Sequence, residues 1–257
     1  MSPRKFFFLH NPKAGGVSIR SLLRSVSKGG SIAPQFMNAP EDYRSNREII
    51  STLRGYDLYF GHYGFEVYQI VNKGHTLVTN FRDPAQRVHS MYRYWRHNVL
   101  DKDLDNLIDS DRDAYLVRLA KELSFSEFIR VNDEDLLCYI SNFHFRQIYM
   151  TAWLHHPYTH AAELMVYRRI NEMPWFFVAE MPEASMSLFR LAFPEARDID
   201  MPIENVSLGN RDEISQKDVE YLMSLNRFDY AIHAYAMSIQ SERLANQDVF
   251  KFKADKS

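Results

Sequence analysis

The feature that most limits how this chain can fold lies between residues 5 and 26. Lys5 to His10 is a short, dense apolar run that suits a buried strand. It breaks at Asn11-Pro12, crosses Gly15-Gly16, and enters a stretch in which Ile19, Leu22, Leu23 and Val26 recur at helical spacing. Strand, glycine turn and helix in that order are the opening unit of an α/β protein.

The rest of the chain continues the alternation. Asp57 to His62 reads as a second strand, His75 to Phe81 as a third and Trp175 to Ala179 as a further one. Asp83-Pro84 opens a helix, with Asp as N-cap and Pro in the first helical position. That helix carries Val88, Met91, Tyr92 and Trp95 on one face and Arg87, Arg93 and Arg96 elsewhere. Residues 124–172, Pro182 to Phe193 and Ile214 to Gln240 read as helical, whereas residues 28–46, 100–113 and 194–210 read as loop or irregular. Strands alternating with helices imply a three-layer α/β fold, a central parallel sheet covered on both faces.

The 257 residues, 46% of them hydrophobic, suffice for one sizeable core, so a single domain is expected. With 31 basic and 33 acidic residues the chain has no global field for nucleic acid or an anionic membrane. Any anion site must be local. A single cysteine, Cys138, forms no intramolecular disulfide and excludes a cysteine-rich zinc site. No apolar run is long enough for a membrane span or a signal-peptide core, and a soluble, cytoplasmic protein is expected.

Residues 11–18 read Asn-Pro-Lys-Ala-Gly-Gly-Val-Ser. Glycines between a strand and a helix let backbone N–H groups crowd round an oxyanion, and the helix N-terminus adds partial positive charge. Against the triphosphate loop G-x-x-x-x-G-K-[ST], Gly16 and Ser18 match, Asn11 replaces the first glycine, and Val17 occupies the lysine position. The lysine stands inside the loop, at Lys13. Valine cannot clamp the β- and γ-phosphates, while Lys13 reaches the oxygen joining a 5′-phosphate to its leaving group. A plain strand-to-helix turn with a solvated lysine is the alternative.

Phe-Leu-His-Asn-Pro-Lys-Ala-Gly-Gly-Val-Ser resembles the 5′-phosphosulfate loop of sulfotransferases that use 3′-phosphoadenosine 5′-phosphosulfate (PAPS), above all the carbohydrate 2-O-sulfotransferases and their bacterial relatives. Ala14 and Val17 depart from the family pattern where threonine is common. Asn80 to Tyr92, Asn-Phe-Arg-Asp-Pro-Ala-Gln-Arg-Val-His-Ser-Met-Tyr, resembles the family's 3′-phosphate motif R-D-P-x-x-R-x-x-S-x-Y at every specified position. Arg82 falls at a strand's carboxyl end, and a planar guanidinium grips phosphate in bidentate fashion. Asn142 to Ile148 resembles a family helix that shapes the site, residues 204–211 stand where the family has a late loop over the cofactor, and residues 221–236 resemble its closing helix.

The resemblance implies a P-loop-type fold and a role for each motif. Lys13 stabilises charge on the bridging oxygen, and backbone N–H groups from Ala14, Gly15, Gly16, Val17 and Ser18 hold the 5′-phosphate. Arg82 and Ser90 bind the 3′-phosphate, and Arg211 reaches phosphate from the late loop, with Ser207 and Lys217 as other choices. Arg87 is expected to pair with a carboxylate or support the loop. His62, after Tyr59-Phe60-Gly61, resembles the segment that supplies the catalytic histidine, and a base with a pKa near 7 suits an alcohol nucleophile. A packed histidine is the other reading, with His89, His144 or Glu66 as substitutes. His10 is expected to be structural. His155, His156 and His160 lack a placed acidic partner and do not suggest a metal site. The implied acceptor is a hydroxyl on a glycan or glycoconjugate. A P-loop kinase and a non-catalytic nucleotide-binding module stay open as alternatives.

Overall fold

Phe6, Phe7, Phe8 and Leu9 form β1, and none of the four is accessible to solvent. Successive side chains of a strand point to opposite faces. Phe7 and Leu9 accordingly join one apolar cluster, and Phe6 and Phe8 another. A strand buried on both sides needs partners on both edges and helices on both faces. The computed structural model, which describes residues 4–33, 54–99, 111–151, 158–201 and 213–246, supplies them.

Strands β2 (Leu58–Gly61), β3 (Thr76–Phe81) and β4 (Phe177–Val178) complete a four-stranded sheet of order β2-β1-β3-β4, parallel throughout. On the Phe6/Phe8 face lie α1 (Gly16–Ser27), with Ile19, Leu22 and Leu23, and α9 (Pro182–Ala192), with Leu188 and Phe189. The Phe7/Leu9 face is covered by α2 (Phe65–Val71), α3 (Pro84–His97), α7 (Phe143–Tyr149), α8 (His160–Glu172) and α11 (Arg227–Ala245). Helices α4 (Asp111–Glu122), α5 (Phe125–Phe128), α6 (Glu134–Ile140) and α10 (Gln216–Leu225) extend that layer. The three-layer α/β expectation holds.

Several boundaries differ from the sequence reading, each for a physical reason. β4 spans only Phe177–Val178, which pair with Asn80 and Phe81 at the end of β3; Trp175 is buried with its Nε1–H donating to Ser185 O at 2.7 Å. The helical stretch of residues 124–172 breaks at Asn142, which sits in the left-handed region at φ 44°. Its Nδ2 donates to Leu225 O, its Oδ1 receives Phe228 N–H, and its own N–H donates to Asn226 Oδ1. The same interlock divides residues 214–240 into α10 and α11. Helix α2 was not anticipated; seven residues are too few for a periodic signal. The aspartate-rich connection lies outside the described residues from 100 to 110, and α4 already begins at Asp111. Pro194–Ala196 is a single 3₁₀ turn. Among the described residues no helix is long and apolar enough to cross a membrane.

From β1 the chain passes to β2 on one side and then to β3 on the other. The crevice outside the carboxyl ends of β1 and β3 is therefore a topological switch point, where parallel sheets bind ligands.

Candidate functional site

Both sequence motifs arrive at that crevice. The β1–α1 loop leaves the carboxyl end of β1, and Arg82 follows the carboxyl end of β3. Asn80, inaccessible near the end of β3, receives Asn11 N–H on Oδ1 at 2.8 Å. Its Nδ2 donates to Asn11 O at 3.0 Å and to Ala14 O at 2.8 Å. Arg82 Nη1 donates to Lys13 O at 2.7 Å. A side chain of β3 and one just past its end thus hold the turn that follows the neighbouring strand.

The turn requires such support. Lys13 has φ 64°, a left-handed conformation that costs a non-glycine residue about 1–2 kcal/mol. Gly15 has φ 82° and a side chain there would also approach the Phe177 ring. At Gly16 a methyl group would lie 1.8 Å from His10 Nε2, so the imidazole occupies the space a Cβ would need. Helix α1 starts at Gly16, and its first bond from beyond the turn runs from Ile19 N–H to Gly15 O at 3.2 Å. The N–H groups of Gly16 and Val17 precede that bond, where a helix presents donors and positive potential. Ala14 and Ser18 are buried, while Val17 projects outward with 44% of its surface exposed.

The Lys13 ammonium stands 4.1 Å from the centre of the Tyr94 ring. Burial, assisted by the Arg82 charge, lowers its pKa to about 8. Tyr94 lies one turn beyond Ser90 on α3, and residues four apart share a helix face. Ser90 and Lys13 are therefore brought to the same side of the crevice. Asp83 caps α3, accepting Gln86 N–H at 2.9 Å, and its own N–H donates to Glu180 Oε1 at 2.8 Å. The sequence expectation for the Asp-Pro pair is met.

His62 follows β2 directly. Its ring centre is 5.0 Å from that of His10 and 6.4 Å from that of Phe143. Burial lowers its pKa to about 4, and burial beside His62, Arg20 and Lys13 holds His10 well below the usual value. Both imidazoles are neutral at pH 7. Neither is therefore a base titrating near 7 in the unliganded protein. His62 already has its lone pair at neutral pH, at lower basicity. His10 is more than a spacer, since it fills the gap at Gly16 and touches His62.

The other candidates separate. Arg87 is 1% exposed, donates from Nη2 to Tyr139 O at 2.9 Å, lies over the Phe143 ring and is attracted by the Asp229 carboxylate, so it is a core residue. His144 is buried with Nε2 2.9 Å from Thr79 Oγ1, whose single hydroxyl proton goes to Leu9 O. Nε2 then carries the proton and Nδ1 the lone pair, and burial at 3% exposure keeps the ring away from any acceptor in solvent. His89 packs on the Phe125 ring. Burial raises the Glu66 carboxyl to about 8. His160 faces Glu163 at 3.7 Å, and Lys217 is exposed in the first turn of α10. Arg211, Ser207, His155 and His156 lie outside the described residues.

Three residues of the site were not singled out beforehand. Asn80 was visible as a carboxamide at the end of a β3 run that reads Thr-Leu-Val-Thr-Asn-Phe, and Tyr94 as the next residue on the Ser90 face. Gln147, within the Asn142–Ile148 segment, donates to Tyr63 O at 2.9 Å and His10 O at 3.2 Å, holding the backbone beside both histidines. No protein-family model and no curated protein matches the sequence.

Proposed function

We propose that the chain is a PAPS-dependent sulfotransferase of the P-loop type, acting on a hydroxyl of a glycan or glycoconjugate. The observation that carries the reading is the Arg82–Lys13 bond. It joins the residue assigned to the 3′-phosphate to the loop assigned to the 5′-phosphate, at the switch point of the sheet. The donor set fits the group: a lysine in a glycine turn, first-turn helix N–H groups and an arginine.

When bound, PAPS supplies an activated sulfuryl group. Lys13 neutralises charge on the oxygen that joins sulfur to the 5′-phosphate as that bond breaks, and the loop N–H groups from Ala14 to Ser18 hold the phosphate. Arg82 and Ser90 grip the 3′-phosphate and so select PAPS over adenylyl sulfate, with Arg211 adding a contact from the late loop. His62 takes the proton of the acceptor hydroxyl as its oxygen bonds to sulfur. Lowered pKa values at Lys13 and His62 belong to a partly buried site, where charge interactions are stronger than in bulk water.

A triphosphate kinase would need a cation at position 17, where Val17 stands exposed. Incubation with radiolabelled PAPS and a panel of glycans tests the reading. Label on one glycan, lost in Lys13→Ala, supports it. Binding of adenosine 3′,5′-bisphosphate without transfer to any hydroxyl would make the protein a binding module, and ATP hydrolysis lost in Lys13→Ala would make it a kinase relative.

A further inference from the structure

We propose that Asn80 is a positioning residue that presets the β1–α1 loop for anion binding; the inference rests on the reading of that loop as the 5′-phosphate site. A primary carboxamide with no exposed surface is costly unless its hydrogen bonds are made. At Asn80 three are made, and all three go to the loop: one received from Asn11 N–H and two donated to Asn11 O and Ala14 O. These two positions bracket Pro12 and Lys13. One side chain therefore clamps both ends of the turn that carries Lys13 in its left-handed conformation.

Backbone held in a sparsely populated region persists only where its surroundings over-determine it. The Asn80 amide, from β3, and the Arg82–Lys13 bond, from the residue just past its end, are such surroundings. The two contacts divide the work. Arg82 bonds the loop and also faces the ligand in the proposed function. Asn80 has no exposed surface and acts through the loop alone. Presetting by Asn80 should favour every ligand that uses the 5′-phosphate loop equally, whereas Arg82 should favour ligands with a 3′-phosphate.

Calorimetry on wild type, Asn80→Ala, Asn80→Asp and Arg82→Gln with adenosine 3′,5′-bisphosphate, 5′-AMP and inorganic pyrophosphate separates these roles. Asn80→Asp keeps the acceptor for Asn11 N–H but sets a carboxylate against two carbonyl oxygens. Both Asn80 variants are expected to lose about tenfold or more on all three ligands by a common factor, while Arg82→Gln loses mainly on the bisphosphate. Variants that melt as wild type and bind within twofold of it would overturn the proposal. If neither Asn80 variant folds, hydrogen exchange in the wild type decides: an Asn11 amide exchanging as fast as an open loop amide overturns the clamp, and a protected one supports it. Wild type binding pyrophosphate but neither nucleotide would end the sulfotransferase reading and leave the Asn80 comparison standing. Wild type binding none of the three would end both.

Discussion

Lys13 gives the sharpest test of the site, because its charge is perturbed in a direction that a ligand should reverse. Its pKa in the unliganded protein is about 8, lowered by burial and then by Arg82. An anion on the loop favours the ammonium form, so binding draws a proton onto the protein wherever the free protein has lost it. The competent fraction at pH 7 is about nine-tenths and at pH 9 about one-tenth, and apparent affinity scales with that fraction. Adenosine 3′,5′-bisphosphate should therefore bind about tenfold more weakly at pH 9 than at pH 7. The phosphates themselves, with a second pKa of about 6, do not change over this range. Titration calorimetry in two buffers of different ionisation enthalpy reads the affinity and the proton uptake together. Uptake should approach one proton per ligand at pH 9 and vanish in Lys13→Arg, whose guanidinium stays charged. The stability linkage has the opposite sign: the unfolded chain holds this proton up to about pH 10, so folding stability gains from this group as pH rises through 8 while anion affinity falls. An affinity flat from pH 7 to pH 9, with no proton uptake, would show that Lys13 does not meet the anion.

His62→Ala should lower turnover by ~10²–10⁴-fold with donor affinity unchanged, and the acid limb of the wild-type rate should lie near pH 4, not near pH 7; near-normal turnover returns His62 to packing. Arg82→Gln should reduce the preference for adenosine 3′,5′-bisphosphate over 5′-AMP by about tenfold, ~1.4 kcal/mol, read by competition binding; an unchanged ratio removes Arg82 from the 3′-phosphate. Phe7→Ala should cost about 3–5 kcal/mol in denaturant unfolding, since it empties an inaccessible ring stacked on Tyr59; a cost under 1 kcal/mol would mean the layer collapses around the gap.

Local signals explain what was legible in the sequence. β1, the glycine turn, α1 and the Asp83-Pro84 cap are written in contiguous residues, and the structure has each of them. The motif positions Lys13 and Arg82 could be named, and they do meet. What could not be read depends on which strands become neighbours. Asn80 and Asn11 are 69 positions apart, and only the pairing of β1 with β3 makes one the support of the other. The lowered basicity of His62 is likewise a property of burial under Phe143 and His10, not of the Gly-His pair. Helical spacing gives the angle of Arg87 on α3, but only the packing of α6 and α7 over that side encloses it.

The left-handed backbone at Lys13 sets the catalytic proposal against the durability of the fold. Glycine adopts φ 64° without strain, so a glycine at position 13 would relieve about 1–2 kcal/mol of backbone strain, less about 0.5–1 kcal/mol for its freer unfolded state, while deleting the ammonium that stands over Tyr94. Selection for heat resistance alone would accordingly drift toward a sturdier and chemically silent protein. Any thermostabilised version meant to keep the site has to find its gains in the phenylalanine-rich layers and leave this turn as it is.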